Sequence, residues 1–161
     1  MRHVITRHSL FSALCVFAAS ILGHAADQHP DFSGEWKMNP AKSVLGPIPA
    51  PASLVRRFVH ADPSLTITEE QKGGSGDHVS TRRYTTDGRE VTFQEDGSTV
   101  VATAAWEGDA LLIRSKADVG GTTFVFVQKM TLSDGGKTLT DALQIITPQG
   151  EINATYWFDK Q

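Results

Sequence analysis

The sequence predicts an all-β protein: a single up-and-down antiparallel β-barrel of about 8–10 strands. Three observations predict it. Short runs rich in Val, Ile, Thr, Phe and Tyr recur from Leu54 to Phe158. Asp-, Gly- and Pro-bearing turns separate them, as in Thr86-Asp87-Gly88, Glu95-Asp96-Gly97 and Ser133-Asp134-Gly135-Gly136. Asp-Gly pairs tolerate the positive φ that tight hairpins need. No ten-residue window carries a convincing helical period.

The chain opens on an export leader. Arg2 and Arg7 form a positive n-region, Leu10 to Leu22 an apolar run, and Gly23-His24-Ala25 a signal-peptidase site cleaving after Ala25. The run is shorter than the roughly 20 residues of a membrane span, so no span is expected after cleavage. Leu14 before Cys15 lacks the small residue of a lipoprotein site. The expected organisation is therefore a signal peptide over 1–25 and a barrel domain over 26–161, in an exported protein that is periplasmic or secreted.

Cys15 is the only cysteine, so the mature chain has no disulfide, thiolate metal site or cysteine nucleophile. Loss of Arg2 and Arg7 takes 15 Lys+Arg to 13 against 18 Asp+Glu, a net charge of −5. That balance argues against nucleic acid or an anionic membrane surface as partner. What remains has the length of one domain with one core. The oligomeric state is left open.

The first strand is expected at Phe32-Ser33-Gly34-Glu35-Trp36-Lys37-Met38, where alternation puts Phe32, Gly34, Trp36 and Met38 on one face. Asn39 to Ser53 follows with Pro40, Pro47, Pro49 and Pro51, which disfavour helix and central strand. A long ordered loop crossing one end of the structure is expected there. The further strand runs are 54–60, 64–71, 78–85, 89–94, 99–106, 110–116, 122–132, 138–146 and 151–158. Closing this meander removes exposed edges, which favours a barrel over an open sheet. The Leu132–Leu139 hairpin is also propeller-like, but a chain of this size holds too few blades to close a ring.

The Gly34-x-Trp36 opening resembles that of the lipocalin and fatty-acid-binding (calycin) barrels. Its extension Gly34-Glu35-Trp36-Lys37-Met38-Asn39-Pro40-Ala41-Lys42-Ser43 is similar to the opening of bacterial secreted lipocalin-like proteins. The Leu-Ser-Asp-Gly-Gly-Lys-Thr-Leu-Thr turn and the final strand Tyr156-Trp157-Phe158-Asp159-Lys160 extend the resemblance. It implies that Trp36 plugs the closed end, with Gly34 leaving room beside it, and that the lumen holds a ligand. Two features depart from fatty-acid-binding proteins. Their two helices are replaced by the proline-rich loop, and their last-strand Arg-x-Tyr pair falls on Tyr156 and Phe158.

Alternation then sorts the strands into faces, the bulkier apolar face pointing inward. The inward sets are Leu65, Ile67, Glu69, Gln71; Val79, Thr81, Arg83, Thr85; Leu111, Ile113, Ser115; Phe124, Phe126, Gln128, Met130; Leu139, Asp141, Leu143, Ile145; and Ile152, Ala154, Tyr156, Phe158. The second strand, with Leu54, Arg56, Phe58 and His60 on one face, leaves its parity open.

A charge on an apolar face is costly unless paired, so Arg56 or Arg83 is expected to meet Asp141 or Glu69 across the lumen. The candidate ligand-binding residues are Arg56, Arg83, Phe124, Phe126, Gln128, Asp141 and Tyr156. Such polar groups recognise a carboxylate, hydroxyl or carbonyl on a largely apolar ligand. The purely structural alternative is a buried ion pair, or an arginine lying over Trp36.

The function expected first is binding of a small apolar or amphiphilic molecule in the lumen, with no cofactor. The alternative is a cofactor-independent isomerase, lyase or cyclase in the same cavity. There Arg83 or Arg56 would stabilise an oxyanion, and Asp141, Glu69, Tyr156 or His60, set at a strand end, would move the proton. A third reading is a solid-cored envelope interaction module. No histidine pair has metal-ligand spacing, and Gly73-Gly74-Ser75-Gly76 lacks the Lys-Ser/Thr of a phosphate loop. No metal site is expected.

Overall fold

The computed structural model describes residues 29–161, so the leader expected over 1–25 lies outside the described residues. Ten antiparallel strands follow in meander order. They are β1 (Gly34–Met38), β2 (Ser53–Ala61), β3 (Ser64–Lys72), β4 (His78–Thr85), β5 (Asp87–Glu95), β6 (Ser98–Glu107), β7 (Ala110–Val119), β8 (Thr122–Ser133), β9 (Thr138–Thr147) and β10 (Gly150–Lys160). Every expected run forms a strand.

The sheet order is β4-β3-β2-β1-β10-β9-β8-β7-β6-β5. β1 pairs with β10 on one side and β2 on the other, which curls the meander back on itself. Closure is incomplete, because β4 and β5 are the two ends of the order and share no ladder. The fully closed barrel expected from the need to remove edges is therefore a nearly closed one. Side chains span the seam instead. The Arg82 guanidinium forks onto both Glu95 carboxylate oxygens, and the Tyr84 and Phe93 rings meet edge to face at 6.0 Å.

The Trp36 end is packed solid. Phe32 and Trp36 are fully buried among Phe58, Leu65, Leu111, Met130, Leu139 and Phe158. The indole Nε1 donates to the Phe32 carbonyl at 2.9 Å, which satisfies the buried ring's only polar atom. Gly34 has φ +130°, a conformation that side-chain-bearing residues rarely adopt, and the Lys160 stem passes over it. The Lys160 Nζ lies 5.1 Å from the Trp36 ring centroid. A cation does cover Trp36, but it is this lysine and not an arginine.

The proline-rich segment is an ordered loop, anchored by the residues of the opening motif. Asn39 Nδ2 donates to Asp159 at 2.7 Å, and the Ser43 hydroxyl accepts from the Trp157 amide at 3.0 Å. Val44 then bridges Thr155 in antiparallel fashion. Farther on, the Ala52 amide donates to the Lys72 carbonyl. The loop thus fills the wedge where the short β1 leaves β2 and β10 without a partner, and packs Leu45 and Ile48 on the core.

Candidate functional site

Above the plug the barrel is hollow. A cavity of about 430 Å³ extends toward the end that carries the β3–β4, β5–β6 and β7–β8 turns. Its apolar wall includes Leu54, Tyr84, Phe93, Phe126, Leu143 and Tyr156. Its polar wall includes Arg56, Glu69, Gln71, Arg82, Glu95 and Gln128, with His78 and Asp96 toward the turns.

Register explains how these groups meet. Arg56 on β2 stands opposite Trp36 on β1 and Glu69 on β3. Directly opposed residues share a face, so the plug, the cation and the carboxylate form one inward row. On the far wall Asp141 of β9 stands between Met130 and Tyr156, with Gln128 one diagonal step away.

The two rows join at Arg56. Its Nε donates to Glu69 Oε2 at 2.5 Å and its Nη1 to Asp141 Oδ2 at 2.6 Å. Gln128 Nε2 adds a third bond, to Asp141 Oδ2 at 2.9 Å. The guanidinium carbon lies 4.8 Å from the Phe158 ring centroid and 5.8 Å from that of Tyr156. All three charged groups are buried, Asp141 completely, and its Oδ1 has no hydrogen-bond partner.

The electrostatics follow from this packing. Burial opposes the charge on Arg56, but Glu69 and Asp141 outweigh it and raise its pKa above the ordinary arginine value. Burial pushes Glu69 up, yet the Arg56 guanidinium, with Arg82 behind it, pulls it below the ordinary carboxylate range. Burial lifts the Tyr84 phenol to about 12 and raises that of Tyr156.

Arg56, Glu69, Gln128, Asp141 and Tyr156 are thus brought together, and the open parity of β2 resolves with Arg56 inside. Phe126 lines the cavity; Phe124 stacks on it at 6.3 Å without itself reaching the wall. Two expectations are corrected. Arg83 is exposed on the outer face, and the inward residues of β4 are His78, Arg82 and Tyr84, not Val79, Thr81, Arg83 and Thr85. Three β-branched residues made the outer face look like the core side; Tyr84, the one large ring in the strand, marked the true one. His60 does not border the cavity. Its side chain is buried at the plugged end, where Nδ1 accepts from the Phe32 amide at 3.3 Å and the ring lies 5.7 Å from Trp106.

Sequence reasoning missed Arg82, Phe93 and Glu95. The alternation Val91, Phe93, Glu95 in β5 was the available signal for the last two. Among the described residues no group of three or more His, Cys, Asp or Glu side chains is placed to hold a metal ion.

The solved structures that this nearly closed meander barrel resembles in fold are fatty-acid-binding-protein-like and lipocalin-like barrels. One is a zebrafish ileal bile acid-binding protein complexed with cholic acid, at 19% identity and a TM-score of 0.59, covering 81% of this chain and 98% of that one. Another is a secretory abundant heat soluble protein from Ramazzottius varieornatus, at 10% identity and a TM-score of 0.61, covering 80% and 94%. Human cRBP IV aligns at 13% identity with a TM-score of 0.52, covering 82% and 99%. No protein-family model matches the sequence, and no curated protein does. At such identities the likeness is one of fold.

Proposed function

We propose that this chain is an exported binding protein that holds a small apolar or amphiphilic molecule in its lumen. The cavity carries this reading: about 430 Å³, walled on one side by aromatic and aliphatic side chains and on the other by convergent charged and amide groups. Ligand sites have that size. A solid-cored interaction module would have no such space. A structural neighbour complexed with cholic acid gives the same reading support from outside this chain.

Export rests on the leader pattern over 1–25, and mature protein beginning at Ala26 is its signature. An enzyme in this lumen would need a side chain poised to exchange a proton with the bound molecule. Glu69 is instead held charged by Arg56, and His60 sits at the plugged end. Binding is therefore the better reading.

Native mass spectrometry of protein purified from its own host tests it. A retained small molecule, or tight uptake of a neutral lipophilic dye, is the expected result. Absence of both would remove the proposal.

A further inference from the structure

Fatty-acid-type recognition needs a cation with charge to spare, and among the described residues the arginines of this lumen are all paired. Among the described residues, Arg56 and Arg82 are the lining cations apart from His78, and no lysine lines the wall. Arg56 is held by two carboxylates, Glu69 and Asp141. Arg82 is forked onto Glu95. Asp96 adds a further carboxylate toward the mouth. Counting Asp141 behind Arg56, four carboxyl groups face two guanidiniums.

The amides point the same way. Gln128 must turn its NH2 toward the Asp141 carboxylate, because its carbonyl there would face like charge. Gln71 spends its NH2 on the Gly73 and Gly76 carbonyls and the Ser75 hydroxyl. Both amide oxygens are then left as the unused groups. Glu69 Oε1 is likewise short of a close donor, with His78 Nε2 at 3.8 Å. The lumen is rich in acceptors and negative in balance.

Resting on the binding function proposed above, we propose that the ligand is a cationic amphiphile: an apolar body with a protonated amine or similar hydrogen-bond-donating head, received by the Glu69–Gln71–Glu95 side of the cavity. An acidic head group would enter beside paired carboxylates and gain no free cation. The Tyr84 and Tyr156 hydroxyls could still donate to it, but they are neutral and supply no charge to offset those carboxylates. Charge complementarity of this kind sets which partner is admitted.

Displacement of the neutral dye N-phenyl-1-naphthylamine by decylamine and by decanoate tests the inference, because the two competitors share one tail. Decylamine should displace the dye at a concentration at least about tenfold lower than decanoate. Glu95→Gln, which frees Arg82, should narrow that ratio by weakening the amine and strengthening the acid. Equal or better displacement by decanoate overturns the inference while leaving lumen binding intact. A dye that does not bind at all removes the underlying binding function instead.

Discussion

Arg56 and Asp141, 85 residues apart in the chain, meet at 2.6 Å in the floor of the lumen. Glu69 holds the other side of the same guanidinium from the neighbouring strand. A buried cation between two carboxylates is tolerable only while all three stay together, since each alone would be an unpaired charge out of water.

Arg56→Met should therefore destabilise the barrel by about 3–5 kcal/mol, by stranding Glu69 and Asp141. Urea denaturation followed by tryptophan fluorescence measures the loss. The combined variant Arg56→Met, Glu69→Met, Asp141→Leu should recover most of it. A single substitution costing less than about 1 kcal/mol would show that the triad is not acting as a buried charge network.

Glu69 makes stability depend on acid in a defined direction. Its folded pKa lies below the ordinary value of 4.5, so the native state holds the proton more weakly than the unfolded chain. The stabilisation is fully present above that ordinary value and is lost as pH falls through the folded pKa. The urea midpoint of the wild type should drop below pH 4.5 more steeply than that of Glu69→Gln. Parallel curves for the two proteins would count against the assignment.

Arg82 and Glu95 clasp two strands that share no backbone ladder. The pair is partly exposed, so Arg82→Ala should cost no more than about 1 kcal/mol of global stability. Its effect should be local: faster amide hydrogen exchange in β4 and β5, and faster dye entry. Unchanged protection in both strands would mean that the Tyr84–Phe93 contact holds the seam by itself.

Gly34 is constrained by its backbone more than by its neighbour. Gly34→Ala should destabilise by more than about 1 kcal/mol, because φ +130° disfavours any residue with a Cβ. The Lys160 stem, 2.8 Å from that Cβ, is flexible and can move aside. Adding Lys160→Ala should therefore give little rescue; full rescue would make the contact, not φ, the cause.

The strand runs and turns were legible because both are local. Alternation and Asp-Gly punctuation act over a few residues, and all ten strands fall where those signals lie. The expected inward face of β3 agrees with the structure, as Leu65, Ile67 and Glu69 alternate with polar residues and are buried. That of β4 does not, because Val79 and two threonines on its outer face outweigh a single tyrosine on the inner one. A strand beside an open seam has one neighbour only, so its composition is less tightly tied to burial.

By itself the sequence determined the all-β meander, the ordered proline-rich loop and the presence of charges on an apolar face, while the plug at Trp36 was implied by the resemblance its Gly34-x-Trp36 opening carries. The tertiary structure alone decided where the barrel stops closing, that Arg56 and not Arg83 lies inside, and that its partners are Glu69 and Asp141 together. The physical reason is distance. Hydrogen-bond ladders and side-chain alternation are written within a strand and its turn, whereas the charge balance of a lumen depends on residues brought face to face only when distant strands curl into a barrel.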